Sequence, residues 1–104
     1  MTTAVTDDAP RKRYEITEDG EQVGFLTYRL GEGFVELIHT EVDRAHSGRG
    51  LAGILVRFAL DDARARGLTV VPTCPYVALF IGEHRDEYLD LVPEERREQF
   101  GLAD

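Results

Sequence analysis

The hydrophobic pattern of the chain changes period once, and a cluster of glycines marks the place. From Phe34 to Val42 the residues alternate, with Phe34, Ile38 and Val42 read onto one face and Val35, Leu37 and His39 onto the other. That is the period-two signature of a strand. From Gly50 onward the period is that of a helix, with Leu51, Ile54, Leu55 and Phe58 on one stripe and Arg57, Asp61 and Arg64 on the polar side,. Between the two lies Gly48-Arg49-Gly50-Leu51-Ala52-Gly53. A chain patterned this way passes from strand to helix across a glycine turn.

The flanking segments complete the layout. Tyr14–Thr17 and Gln22–Leu30 read as strands, separated by the turn residues Glu18-Asp19-Gly20, and Gly31-Glu32-Gly33 leads into Phe34. Three strands joined by short glycine-bearing turns form an antiparallel meander. Gly67 closes the long helix as a residue suited to positive φ, and Asp62 and Arg66 support it at i,i+4,. Leu68–Pro72 is a short apolar run suited to a strand buried on both faces. Tyr76–Glu83 and Pro93–Phe100 read as short helices, the latter with proline first and acids in its first turn,. The order β-β-β-α-β-α is an α+β fold on a mostly antiparallel sheet. Residues 1–12 are polar and without periodicity, so they are expected to form a disordered tail, and residues 13–104 one domain,. At 104 residues, 42% of them apolar, the chain is long enough for one core and too short for a two-domain enzyme or an eight-stranded α/β barrel.

Charge and cysteine content narrow the function. A net charge of −8 argues against nucleic acid or an anionic membrane as the main partner. Residues 44–67 nevertheless carry a local +3 and the rest of the chain −11. A small polyanion could sit on this basic island, or its arginines are an ordinary helix surface. The one cysteine, Cys74, permits no intramolecular disulfide, so a reducing, cytoplasmic compartment is expected. No membrane span and no secretory signal are read, and a monomer is expected. The three histidines and Cys74 lack metal-ligand spacing, so no metal is expected. Ser47, the single serine, lies in the glycine loop and supports no serine triad.

The loop spells G-x-G-x-x-G, but a dinucleotide fold would need an acid at the end of the next strand, and Leu68–Thr73 contains none,. No Gly-Lys-Ser/Thr follows, so it is not a P-loop. Two readings remain. The glycines and the unpaired amides of the first helical turn hold an anion, with Arg49 and Arg44 or His46 adding charge, or Gly48 merely turns the chain.

Ile38-His39-Thr40-Glu41-Val42, then Gly48-Arg49-Gly50-Leu51-Ala52, then Val70-Val71-Pro72-Thr73-Cys74-Pro75-Tyr76-Val77 together resemble the small, single-domain branch of the GNAT N-acetyltransferase superfamily over about residues 13–92. The resemblance implies acetyl-coenzyme A (acetyl-CoA) as the acyl donor and an amine as acceptor. It places the pyrophosphate on the main chain of Gly48, Arg49, Gly50, Leu51 and Ala52, and the pantetheine arm along Thr40–Val42, that is Thr40, Glu41 and Val42. The superfamily loop usually opens with Gln or Arg three residues before its first glycine; Ala45 stands there, leaving Arg44 or His46 to substitute.

Cys74 precedes Pro75, which removes the next ladder donor and lets the strands part,. Read from its residue type alone, it is a small buried hydrophobe; the resemblance places it near the thioester. Direct transfer then needs a proton for the departing thiolate, which a thiol can return, and an acetyl-cysteine intermediate is the alternative. Alternation puts His39 and Glu41 on the face of Val35 and Leu37, as candidate bases. His84, in the acidic stretch Glu83–Glu98, reads as solvated. The functional expectation is an N-acetyltransferase assisted by Cys74, with a non-catalytic acyl-CoA-binding module as the competing class.

Overall fold

The computed structural model describes residues 2–46 and 48–103; Met1, Ser47 and Asp104 lie outside the described residues. Five strands form one sheet in chain order: β1 (Thr3–Asp8), β2 (Arg13–Glu18), β3 (Glu21–Gly31), β4 (Phe34–Val42) and β5 (Thr69–Val71). β1 to β4 pair antiparallel and β5 joins β4 in parallel. A parallel neighbour needs a crossover, and helix α1 (Leu51–Ala65) supplies it. Helices α2 (Pro75–Glu83) and α3 (Arg85–Tyr88) follow, and 3-10 turns at Leu89–Leu91, Glu94–Arg96 and Glu98–Phe100 finish the chain. The fold is α+β with a mostly antiparallel sheet. Among the described residues no helix is long and apolar enough to cross a membrane.

The sheet has a strand that periodicity did not show. Thr3–Asp8 is no loose tail: it pairs residue for residue with Arg13–Glu18. Its order comes from main-chain pairing against an edge, with Val5 packed on the core and Asp7 accepting from the Tyr28 hydroxyl at 2.6 Å. A six-residue strand with one sizeable apolar side chain carries no alternation to read.

Helix α1 buries Leu51, Leu55, Val56, Ala59, Leu60 and Ala63 in one core with Tyr14, Ile16, Leu26, Val35 and Leu37 of the sheet. The buried stripe is rotated from the one expected, leaving Ile54 and Phe58 partly exposed. Gly67 at φ +70° ends the helix, its amide bonded to Arg64 O and the Leu68 amide to Ala63 O, which is a Schellman closure. The supposed wet side of α1 instead docks α3 and the 3-10 turn Leu89–Leu91 that follows it. Arg57 Nη1 meets Glu87 Oε2 at 2.6 Å, Arg64 clasps Asp90 at 2.8 Å, and the Tyr88 hydroxyl donates to Asp61 at 2.7 Å.

The segment read as one helix from Pro93 to Phe100 is two 3-10 turns. It offers no apolar stripe before Phe100, so a helix there has no face to bury. Arg97 instead donates to Val92 O and Leu89 O and the chain turns at Gly101 to bury Leu102. The acidic stretch is likewise not a solvated face throughout: Tyr88, Leu91 and Val92 are core, and His84 stacks on Phe80 at 4.1 Å while its Nδ1 lies 2.8 Å from Phe80 O.

Candidate active site

β4 changes face part-way along. Tyr28 pairs with Leu37 and Thr27 with His39, so Ile38 is an extra residue. A bulge reverses the sides presented beyond it. Before it, Val35 and Leu37 are buried; after it, Thr40 and Val42 are partly buried while His39 and Glu41 are exposed, with 57% and 63% of their side-chain surface open. His39 and Glu41 therefore do not share the face of Val35 and Leu37, as strict alternation had it. They face outward as a pair, Nε2 to Oε1 at 3.3 Å.

Beyond the bulge β4 also loses its other neighbour. The parallel ladder runs from Phe34↔Thr69 to Glu36↔Val71. One more bond, Cys74 N–H to Leu37 O at 2.9 Å, closes it. Pro72 and Pro75 lack the amides needed to continue, and α2 begins at Pro75. Thr73 fixes this corner by donating its hydroxyl to Glu36 Oε2 at 2.6 Å. That bond, and then Arg29, holds the Glu36 carboxyl below its usual range. From Ile38 to Val42 β4 keeps β3 on one side, but its β5-side edge has no strand partner among the described residues, and this unpaired edge is the slot. Cys74, 4% exposed, sits at the head of the slot with its Sγ 3.6 Å from Thr40 Oγ1.

The slot leads towards the start of α1. Gly48 and Gly50 take φ of +82° and +75°, which L side chains rarely adopt. A Cβ built on either would meet nothing within 4 Å, so the backbone is open to an incoming group. Gly50 caps α1 without any side-chain bond, and the first helical bond runs from Ile54 N–H to Gly50 O. The amides of Leu51, Ala52 and Gly53 have no partner within the helix, and they stand at the positive end of its dipole. Val42, His46, Gly48, Gly50, Leu51, Ala52 and Tyr76 line a cleft of about 300 Å³ there. A hollow of about 380 Å³ opens on the other flank of α1, between Gly50 and Phe80. Donor amides, open glycines and a cleft suit a diphosphate.

Side chains around the loop are arranged differently from the sequence expectation. Arg49 Nη1 bonds Glu18 Oε1 at 2.9 Å, and His46 Nε2 lies 3.9 Å from the same oxygen. Arg44 is exposed and does not line the cleft. The turn chemistry of Glu18-Asp19-Gly20 masks this role of Glu18. Its signal was the alternation Tyr14, Ile16, Glu18, which carries it onto the buried face of β2.

A GCN5-related N-acetyltransferase family model matches residues 13–91. The chain belongs to that family. Protein NATD1 of Bos taurus is 33% identical over 82 residues, covering 77% of this chain and 73% of its own. Protein NATD1 of Danio rerio is 31% identical over 91 residues, covering 85% and 83%. Among solved structures, a ribosomal-protein-alanine N-acetyltransferase from Brucella melitensis biovar Abortus 2308 superposes with a TM-score of 0.54 at 25% identity, over 78% of this chain and 62% of that one. An aminoglycoside acetyltransferase from an uncultured soil metagenomic sample gives a TM-score of 0.50 at 27% identity, over 58% and 43%. The chain thus spans less than two thirds of the length of either solved structure. The acetyltransferase fold and the small size expected from the three motifs agree with these likenesses.

Proposed function

We propose that the chain is an acetyl-CoA-dependent N-acetyltransferase acting on a cationic amine. The observation that carries this is the placement of the open Gly48–Gly50 turn and the orphan amides of α1 at the end of the slot that holds Cys74. The amides of Leu51 and Ala52 hold the diphosphate, and the edge of β4 at Thr40–Val42 receives the pantetheine arm. Acetyl-CoA supplies the thioester acyl group. The ammonium acceptor first gives up a proton to solvent; the lone pair of the neutral amine then forms the N–C bond as the C–S bond breaks, the nitrogen passes its second proton to the base, and the departing thiolate takes one from the Cys74 thiol, which regains it from solvent. His39, with Glu41 beside it on the outward side of β4, is the base assigned to the amine. The two solved relatives are named for a protein alanine and for aminoglycosides, both amines, and the net charge of −8 favours a cationic acceptor.

The second reading, a non-catalytic acyl-CoA-binding module, draws on the burial of Cys74. Thiol release from acetyl-CoA with a panel of amines separates the two. Cys74→Ala is expected to cut turnover at least tenfold while calorimetric affinity for acetyl-CoA stays within twofold. Turnover equal to wild type removes Cys74 from the mechanism, and binding without turnover by the unaltered protein establishes the module.

A further inference from the structure

We infer that Glu18 is a positioning residue for the acyl-CoA site: it straps the glycine loop to the sheet through Arg49. The inference rests on the acetyl-CoA reading above. It starts from a cost. Glu18 is 8% exposed, the one charged residue among the buried side chains of the described residues, and burying a carboxylate is unfavourable unless it is paired. An apolar residue would extend the Tyr14–Ile16 stripe and pack without that cost. Its partner Arg49 keeps 48% of its side-chain surface open, and an ion pair open to solvent on one side contributes little to stability. The pair Glu18–Arg49 is therefore poorly explained by stability.

Its geometry explains it better as a placement device. Glu18 closes β2, whereas Arg49 lies 31 positions later in a loop whose flanking residues, Gly48 and Gly50, have no side chains to hold it. Both glycines are in the left-handed region and the first turn of α1 has no side-chain cap. A guanidinium anchored at 2.9 Å on a buried oxygen fixes the backbone midway between them. His46 Nε2 lies 3.9 Å from the same oxygen, beyond hydrogen-bond distance, so the strap is the Arg49 bond alone. The amides that follow are thus aimed before ligand arrives, and a pre-organised anion site loses less entropy on binding than a loose one. On this account Arg49 acts through its backbone placement and spends its charge on Glu18, not on the diphosphate.

The alternative arrangement predicts the opposite sign. If Glu18 merely held Arg49 away from the ligand, removing its charge would free the guanidinium and tighten binding. The test uses Glu18→Gln, Arg49→Gln and the double variant, each shown folded by circular dichroism. Acetyl-CoA binding by calorimetry is expected to weaken roughly tenfold in each single variant, as for outer-shell positioning groups. The double variant is expected to bind no worse than either, because both changes break one link. The loss should fall on KM for acetyl-CoA more than on kcat. Unchanged or tighter binding by Glu18→Gln, or additive losses in the double variant, overturns the strap. Amide hydrogen exchange at Ile54, whose N–H closes the first helical bond on Gly50 O at 3.1 Å, gives in the ligand-free protein a readout independent of function. It should accelerate in Glu18→Gln, and unchanged rates overturn the inference even if the unaltered protein binds no acetyl-CoA, an outcome that would defeat the acetyl-CoA reading instead.

Discussion

At the scale of single residues, the candidate site is built where backbone conformation leaves side chains little choice. Gly50 is held at φ +75°, and an L side chain in that region costs roughly 1–2 kcal/mol. Gly50→Ala is expected to lower stability by about 1 kcal/mol in urea titrations and to weaken acetyl-CoA binding as well, since the added methyl stands where the ligand approaches. Full retention of both affinity and stability would show that the turn relaxes freely. The glycine turn was legible in the sequence because tolerance of positive φ is carried by residue type, whereas Cys74 by residue type alone reads as a small buried hydrophobe and was singled out only by the resemblance. Glu18 was not legible, because Glu-Asp-Gly is also good turn chemistry and nothing local says that the first of the three points inward. Thr40 faced Cys74 only through the bulge at Ile38, whose place depends on how β3 and β4 pair.

At the scale of elements, the parts with strong periodicity were legible and the parts ordered by their neighbours were not. β2, β3, β4, α1, β5 and α2 lie close to where the pattern put them. β1 is held by its ladder to β2, and the C-terminal turns by the side chain of Arg97, neither of which has a local hydrophobic signature. Helix α1 allows a direct test of one glycine. In a dinucleotide fingerprint the third glycine is needed for close packing, but here a Cβ on Gly53 would meet Phe80 and the Tyr76 hydroxyl only at 3.7 Å, ordinary contact distance. Gly53→Ala should therefore stabilise the protein by about 0.5–1 kcal/mol through helix propensity, raising Tm by several degrees in a domain of this size. A drop in Tm would show that this glycine is a packing requirement after all.

At the scale of the whole molecule, three phenol–carboxylate bonds tie separate elements together. Tyr14 of β2 donates to Asp62 of α1 at 2.6 Å, Tyr28 of β3 to Asp7 of β1 at 2.6 Å, and Tyr88 of α3 to Asp61 of α1 at 2.7 Å. Burial first, and then the adjoining carboxylate, raises the pKa of all three phenols. The neutral phenol is the form that the folded state favours, so their contribution is fully present below the pKa of a free tyrosine, near 10. Above about pH 10 the unfolded chain sheds these protons while the native state retains them, and stability falls with rising pH. Basic side chains add little to this trend, since Lys12 is the only lysine and arginines keep their charge in this range. Urea midpoints should hold between pH 7 and 9 and decline steeply by pH 11. Tyr14→Phe should lose about 1 kcal/mol at pH 8 for the missing hydrogen bond, and show a shallower decline above pH 10. A decline as steep as that of the unaltered protein would mean that Tyr14 ionises as readily in the fold as outside it.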